Sequence, residues 1–225
     1  MQSNYNEVYS VIDLGTNTCL LLIAKYSENR VTKLFEAQEI PRLGKGLYET
    51  GKISLDSFRK TSDIFSKYIS ISKEHNSEKV FAFGTSAMRE AKNSKEFIDF
   101  IKKETGIEIK VISGKDEAKY GFDGALFDMP DENYTVLDIG GGSTEFSYME
   151  NVKLITESFR IGSVRLNEIY FKENFSNENI QKAKEFVRES LKTVELKNQN
   201  ERKLVGVAGT LTTLSAIKNK LNNFE

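Results

Sequence analysis

The chain is poor in cysteine, proline and histidine, and it has almost no net charge. One cysteine in 225 residues, Cys19, cannot close an internal disulfide and fits a reducing compartment. Two prolines and no low-complexity run leave domain boundaries unmarked by composition. A net charge of −1 supplies no field to draw the protein to DNA or to a membrane surface, so any basic site is local. No apolar run approaches the roughly 20 residues of a spanning helix. The opening MQSNYNEV is polar and lacks a signal-peptide core, so the expected location is cytoplasmic. The single histidine, His75, lies in the polar stretch SKEHNSEK and is expected to be solvated, with no catalytic role. Cys19 has no histidine partner to activate it and is expected to be a small buried hydrophobe. What remains is an ordinary globular composition, enough for one large domain or two small ones.

Short apolar and β-branched runs ending in turn residues predict strands at 7–13, 18–26, 31–38, 79–83 and 107–112. Leu55, Phe58, Phe65, Tyr68 and Ile69 fall near helical spacing behind Ser54 as N-cap. Asn93 is expected to cap the helix carrying Phe97, Phe100 and Ile101, which Gly106 ends. Ser113 starts a further helix reaching about Phe127. The second half repeats the plan, with strands at 134–139, 144–150, 152–159 and 203–208 and helices around 163–171 and 177–196. A last helix lies in GTLTTLSAIKNKL. The charged stretch 192–203 is expected to be an exposed helix end and loop.

Each half reads strand–Asp–x–Gly–turn–strand–turn–strand. Each later reads strand–Gly–Thr–helix, at Gly84 and Thr85 and again at Gly209 and Thr210. Such repetition predicts an α/β protein of two similar subdomains, 1–128 and 129–225, around a ligand-binding cleft.

The two glycine turns carry the chemistry. Gly140, Gly141 and Gly142 can bring bare N–H groups to an anion, and Ser143 and Thr144 add hydroxyl donors. Asp138 repels phosphate directly, but as a ligand to Mg²⁺ it can face one. Gly15, Thr16, Asn17 and Thr18 suit a second phosphate, with Asp13 in the acid role. Neither a Walker A loop nor G-x-G-x-x-G is present. One such turn is equally well a tight hairpin; two, each with its Asp, favour the ligand reading. The Gly84 and Gly209 turns offer helix N-termini to anions, and Arg89 can fork onto phosphate oxygens, although alone it is an ordinary surface arginine.

VISGKDEAKYGFDG opens a helix with Ser113 as N-cap and Asp116 at N3, which approximates a capping box. That accounts for Asp116 but not for Glu117. Gly121 and Gly124 share Glu117's side of the helix at a cost of roughly 1 kcal/mol each against alanine. Bareness there suggests that something packs close, and Glu117 can orient or deprotonate a water.

VIDLGTNTCLLLI, RLGKGLYETGKIS, GTSAMREAKN, VISGKDEAKYGFDG, VLDIGGGSTEF, FRIGSVRLNE and GVAGTLTTL occur in this order and cover nearly the whole chain. In this the chain resembles the exopolyphosphatase / guanosine pentaphosphate phosphohydrolase family. The resemblance implies the actin-like, ribonuclease H-like two-domain fold and Mg²⁺-dependent (or other divalent cation-dependent) hydrolysis of a phosphoanhydride. The ligand it implies is polyphosphate or the guanosine polyphosphate pppGpp. By position Glu117 looks like the family's catalytic carboxylate, with Asp138 and Glu145 near the metal and the attacking water. Arg89 matches a phosphate-binding arginine. Residues 15–18 and 140–144 match two phosphate loops, and Gly209 and Thr210 a third. The resemblance also implies a homodimer.

Three departures stand out. Leu20 occupies a position where many members have arginine. Asp116 and Glu117 replace the usual Glu–Glu pair. The family continues past the helix after Gly209, so the second subdomain is expected to be incomplete relative to it. Competing readings are an actin-like ATPase or small-molecule kinase, which strict ATP dependence would reveal, and a non-catalytic sensor of polyphosphate or alarmone.

Overall fold

The computed structural model describes residues 7–27, 30–130, 132–192 and 202–221. The chain divides into two compact units, Met1–Ile112 and Ser113–Glu225.

The first unit is built on a five-stranded sheet: β1 (Glu7–Leu14), β2 (Cys19–Ser27), β3 (Arg30–Glu39), β4 (Lys79–Gly84) and β5 (Ile109–Val111), in the order β3-β2-β1-β4-β5. The first three strands form an antiparallel meander, and β4 and β5 add in parallel. This is the ribonuclease H-like order that the resemblance implies. Alternation places Ser10, Ile12 and Leu14 of β1 inside, with Cys19, Leu21 and Ile23 of β2. A short helix, α1 (Leu47–Thr50), precedes α2 (Leu55–Glu74), which Ser54 caps by accepting the Ser57 N–H. The α2 helix buries Phe58, Phe65 and Tyr68. After β4 come α3 (Ser86–Glu90) and α4 (Ser94–Thr105), which buries Phe97 and Ile101. Phe58 and Phe97 meet edge to face at 4.9 Å, and burial of each contributes roughly 1.5–3 kcal/mol.

Two expectations fail here. Asn93 stands at the N-cap of α4 but makes no side-chain cap bond. Its amide instead pairs with both backbone groups of Ile53, at 2.9 and 3.0 Å, so a long-range tie outcompetes the local cap. His75 is not simply solvated. It closes the end of α2, with Nδ1 2.9 Å from the Ile71 carbonyl and its ring against Phe35.

The second unit opens with α5 (Gly114–Ala125). Its sheet comprises β6 (Tyr134–Ile139), β7 (Thr144–Glu150), β8 (Lys153–Phe159) and β9 (Lys203–Val207), in the order β8-β7-β6-β9. The α5 helix lies against β6, β7 and β8. It accounts for the difference between the division at Ile112 and one drawn after residue 128. After β8 come α6 (Ser163–Leu166), a π-helical turn (Asn167–Phe171) and α7 (Asn177–Ser190), with α8 (Ala208–Lys218) after β9. The expectation of helix to 196 stops at Ser190, and 193–201, most of the charged stretch, lies outside the described residues.

The repeat is physical. Leu14 pairs with Cys19 as Ile139 pairs with Thr144, and β4 and β9 run parallel to β1 and β6. The Gly–Thr part of it is not. Asp13 neighbours Phe83, immediately before Gly84, whereas Asp138 neighbours Val207, two residues before Gly209. Gly84 closes a strand, while Gly209 and Thr210 already lie in the first turn of α8, entered through Ala208 at φ 62°.

Candidate functional site: a glycine turn beside three carboxylates

The turn after β6 is closed by the Gly140 N–H donating to the Ser143 carbonyl at 3.0 Å. The turn after β1 is closed the same way, Gly15 N–H to the Thr18 carbonyl at 2.9 Å. Each is held from behind. In the first unit the N–H groups of Gly44 and Arg42 donate to the carbonyls of Thr16 and Asn17, at 2.8 and 3.1 Å. In the second the N–H groups of Ser163 and Val164 donate to the carbonyls of Gly140 and Gly141, at 3.0 and 2.9 Å. With its carbonyls engaged at the rear, a turn can present N–H groups at its front.

Ser143 and Thr144 do not serve as the simple hydroxyl donors expected. The Thr144 hydroxyl donates to the Ile161 carbonyl at 2.7 Å, and the Ser143 hydroxyl bonds to the Glu145 carboxylate. The turn's capacity for an anion therefore rests on its backbone.

Asp138 and Glu145 are direct cross-strand partners, so their side chains share one face of the sheet. That face is covered by α5, which the Ser147 hydroxyl pins by donating to the Ala118 carbonyl at 3.0 Å. Glu117 lies in the first turn of α5, where Ser113 accepts the Asp116 N–H and donates to its carboxylate. One helical turn on, a Cβ built at Gly121 would stand 3.8 Å from Asp138 Oδ2. The bare position is where the Asp138 carboxylate lies. Gly124, expected to be bare for the same reason, has nothing within 4 Å of such a Cβ.

Burial raises the Asp138 carboxyl from its ordinary 3.8 to about 6, and the charge of Glu117 adds to the rise. Glu145, only 2% exposed, is raised by the same two causes in the same order. The Ser158 and Ser143 hydroxyls oppose that rise; Ser158 donates to Oε1 at 2.7 Å. Two acids side by side in a partly dry place, with the charge of a third acting on both, favour a bound proton.

Sequence reasoning also expected Asp13 near a metal. Asp13 is exposed at the end of β1, and its cross-strand partner is Leu20, not an acid. Among the described residues no group of three or more His, Cys, Asp or Glu side chains is disposed to hold an ion. Arg89 is half-buried and donates from Nη1 to the Ile112 carbonyl at 3.1 Å, tying α3 to the end of β5. Thr16, in the first turn, is 4% exposed. Cys19 is fully buried, as expected, and burial pushes its thiol far up. Ser158, Gly162 and Arg165 were not foreseen. Only FRIGSVRLNE, noted for its resemblance and not for any role, pointed toward two of them.

A ribonuclease H-like sheet with carboxylates beside a glycine turn defines an α/β protein of the actin-like kind. The chain belongs to the Ppx/GppA phosphatase family, whose model matches residues 22–223. It is 37% identical over 236 residues to a bifunctional 3-dehydroquinate synthase/phosphatase of Fusobacterium nucleatum, covering 98% of this chain but 35% of that protein. It is 31% identical over 232 residues to exopolyphosphatase 2 of Mycobacterium tuberculosis, covering 96% of this chain and 72% of that one. The Aquifex aeolicus Ppx/GppA enzyme superposes with a TM-score of 0.78 at 31% identity, over 97% of this chain and 73% of the other.

Proposed function

We propose that the protein hydrolyses terminal phosphoanhydride bonds, with water as nucleophile. The substrate is the end of an inorganic polyphosphate chain, the 5′-γ-phosphate of pppGpp, or both. Membership of the Ppx/GppA phosphatase family and similarity to an exopolyphosphatase support this reading. The observation that carries it is the pair of carboxylates, Asp138 and Glu145, beside the residue 140–143 turn, both raised by burial and further by the charge of Glu117.

Glu117 takes a proton from the attacking water, a role worth about 10²–10⁴-fold in rate. Gly140 shapes the turn, its own N–H closing it onto the Ser143 carbonyl, and the N–H groups of Gly141 and Gly142 stabilise charge on the phosphoryl oxygens. Residues 15–18 and Arg89 give the first unit its phosphate contacts, and Gly209 and Thr210 add to those of the second.

The donors fit a divalent cation such as Mg²⁺. That ion keeps several waters and needs only one or two carboxylates besides phosphate oxygens. Asp138, half-buried and raised, would hold it. Glu145 stands behind with its carboxylate engaged by two serines, and Asp13 is the corresponding acid of the first unit. When bound, the cation neutralises phosphate charge.

The test is phosphate release from polyphosphate and from pppGpp, with and without Mg²⁺. Release from either without added nucleoside triphosphate is expected. A strict requirement for ATP, or no release from either substrate, contradicts the proposal.

A further inference from the structure

Arg165 is only 7% exposed. A buried guanidinium is costly unless its hydrogen bonds are satisfied, so its partners carry meaning. Its Nε donates to the Gly142 carbonyl at 3.0 Å, and its backbone N–H donates to the Gly141 carbonyl, also at 3.0 Å. Together with Ser163 and Val164, it takes up three successive carbonyls of the turn, those of Gly140, Gly141 and Gly142. Gly162 permits the approach: a Cβ there would lie 2.4 Å from the Gly141 carbonyl carbon and oxygen.

We infer that Arg165 is a positioning residue, whose buried side chain sets the glycine turn for a phosphate oxygen. The inference rests on the proposed reading of that turn as phosphate-binding. Two physical effects follow from the geometry. First, the bond fixes the peptide between Gly142 and Ser143. The chain contains no cis peptide bond among the described residues, so the Ser143 N–H points opposite to the held carbonyl. Second, a cation at one end of a peptide polarises the N–H at the other, which strengthens it as a donor to an anion. In the first unit the corresponding carbonyls of Thr16 and Asn17 are held by the backbone N–H groups of Gly44 and Arg42. The charged side-chain support is seen at the second turn.

The experiment measures affinity for imidodiphosphate, a P–N–P analogue that is not hydrolysed at the anhydride position, in Mg²⁺ on the whole chain. Wild type is compared with Arg165→Gln, Arg165→Lys and, as a control, Ala183→Gly. Ala183 is buried in α7, and its glycine variant loosens the unit away from the turn. The expected result is a loss of about tenfold or more for Arg165→Gln. Arg165→Lys should recover part of it, free guanidinium should restore binding to Arg165→Gln, and Ala183→Gly should bind as wild type does. KM for the substrate should rise more than kcat falls. Should Arg165→Gln fail to fold, the lysine variant carries the same comparison. Equal affinity in wild type and the Arg165 variants overturns the inference alone, as does an equal loss in Ala183→Gly. A wild type that binds no imidodiphosphate overturns both the inference and the reading beneath it.

Discussion

Asp138 and Glu145 face each other across β6 and β7, and burial raises both carboxyls, with the charge of Glu117 on the covering helix adding to the rise. This single relationship joins topology to chemistry. The antiparallel register puts two acids side by side, and the first turn of α5 brings the third.

The first consequence is a pH dependence of stability. A carboxyl raised in the folded state binds its proton more tightly there than in the unfolded chain. The stabilisation is fully present below the ordinary value of 3.8 and is lost as pH rises through about 6 for Asp138, and further up for Glu145. Denaturant melts without divalent cation should therefore show stability falling over that range. Asp138→Asn and Glu145→Gln should each flatten the slope. A slope unchanged in both variants contradicts the assignment.

Gly121 separates space from helix propensity. A Cβ at 3.8 Å from Asp138 Oδ2 is an ordinary contact, so Gly121→Ala should be accepted and should stabilise α5 by up to about 1 kcal/mol. Gly121→Leu places its branch where the Asp138 carboxylate lies and should abolish phosphate release in a protein that still folds. Full activity in the leucine variant would show that the acid does not need that place.

Ser158 supports the charged form of Glu145. Ser158→Ala should cost about 1–2 kcal/mol at about pH 9, where the carboxylate is ionised. The cost should be smaller near about pH 5, where the proton is bound. Urea titrations at the two pH values give the comparison, and a cost equal at both removes the ionic part of the account.

Much of this architecture was legible in the chain. Strand β6 and strand β7 begin and end where YTVLDI and TEFSYME suggest, because alternation and the glycine turn both mark them. The matching turns after β1 and β6 were readable as a repeat, and their hydrogen bonds bear that out. Pairwise chemistry across distance was not readable. Asn93 looks like a cap, yet it bonds to Ile53, 40 residues away. Ser143 and Thr144 look like ligand donors, but their hydroxyls are used internally. Gly209 mimics Gly84 in sequence while the sheet register displaces it into a helix. Arg165 gave no local signal, since its significance lies in the Gly142 carbonyl 23 residues earlier.

The account stands most directly on Glu117. The decisive measurement is the rate of phosphate release by Glu117→Gln against wild type, on polyphosphate and on pppGpp, with imidodiphosphate binding as the check on folding. The account predicts kcat lower by about 10²–10⁴-fold with binding retained. Equal rates in the two proteins would contradict it.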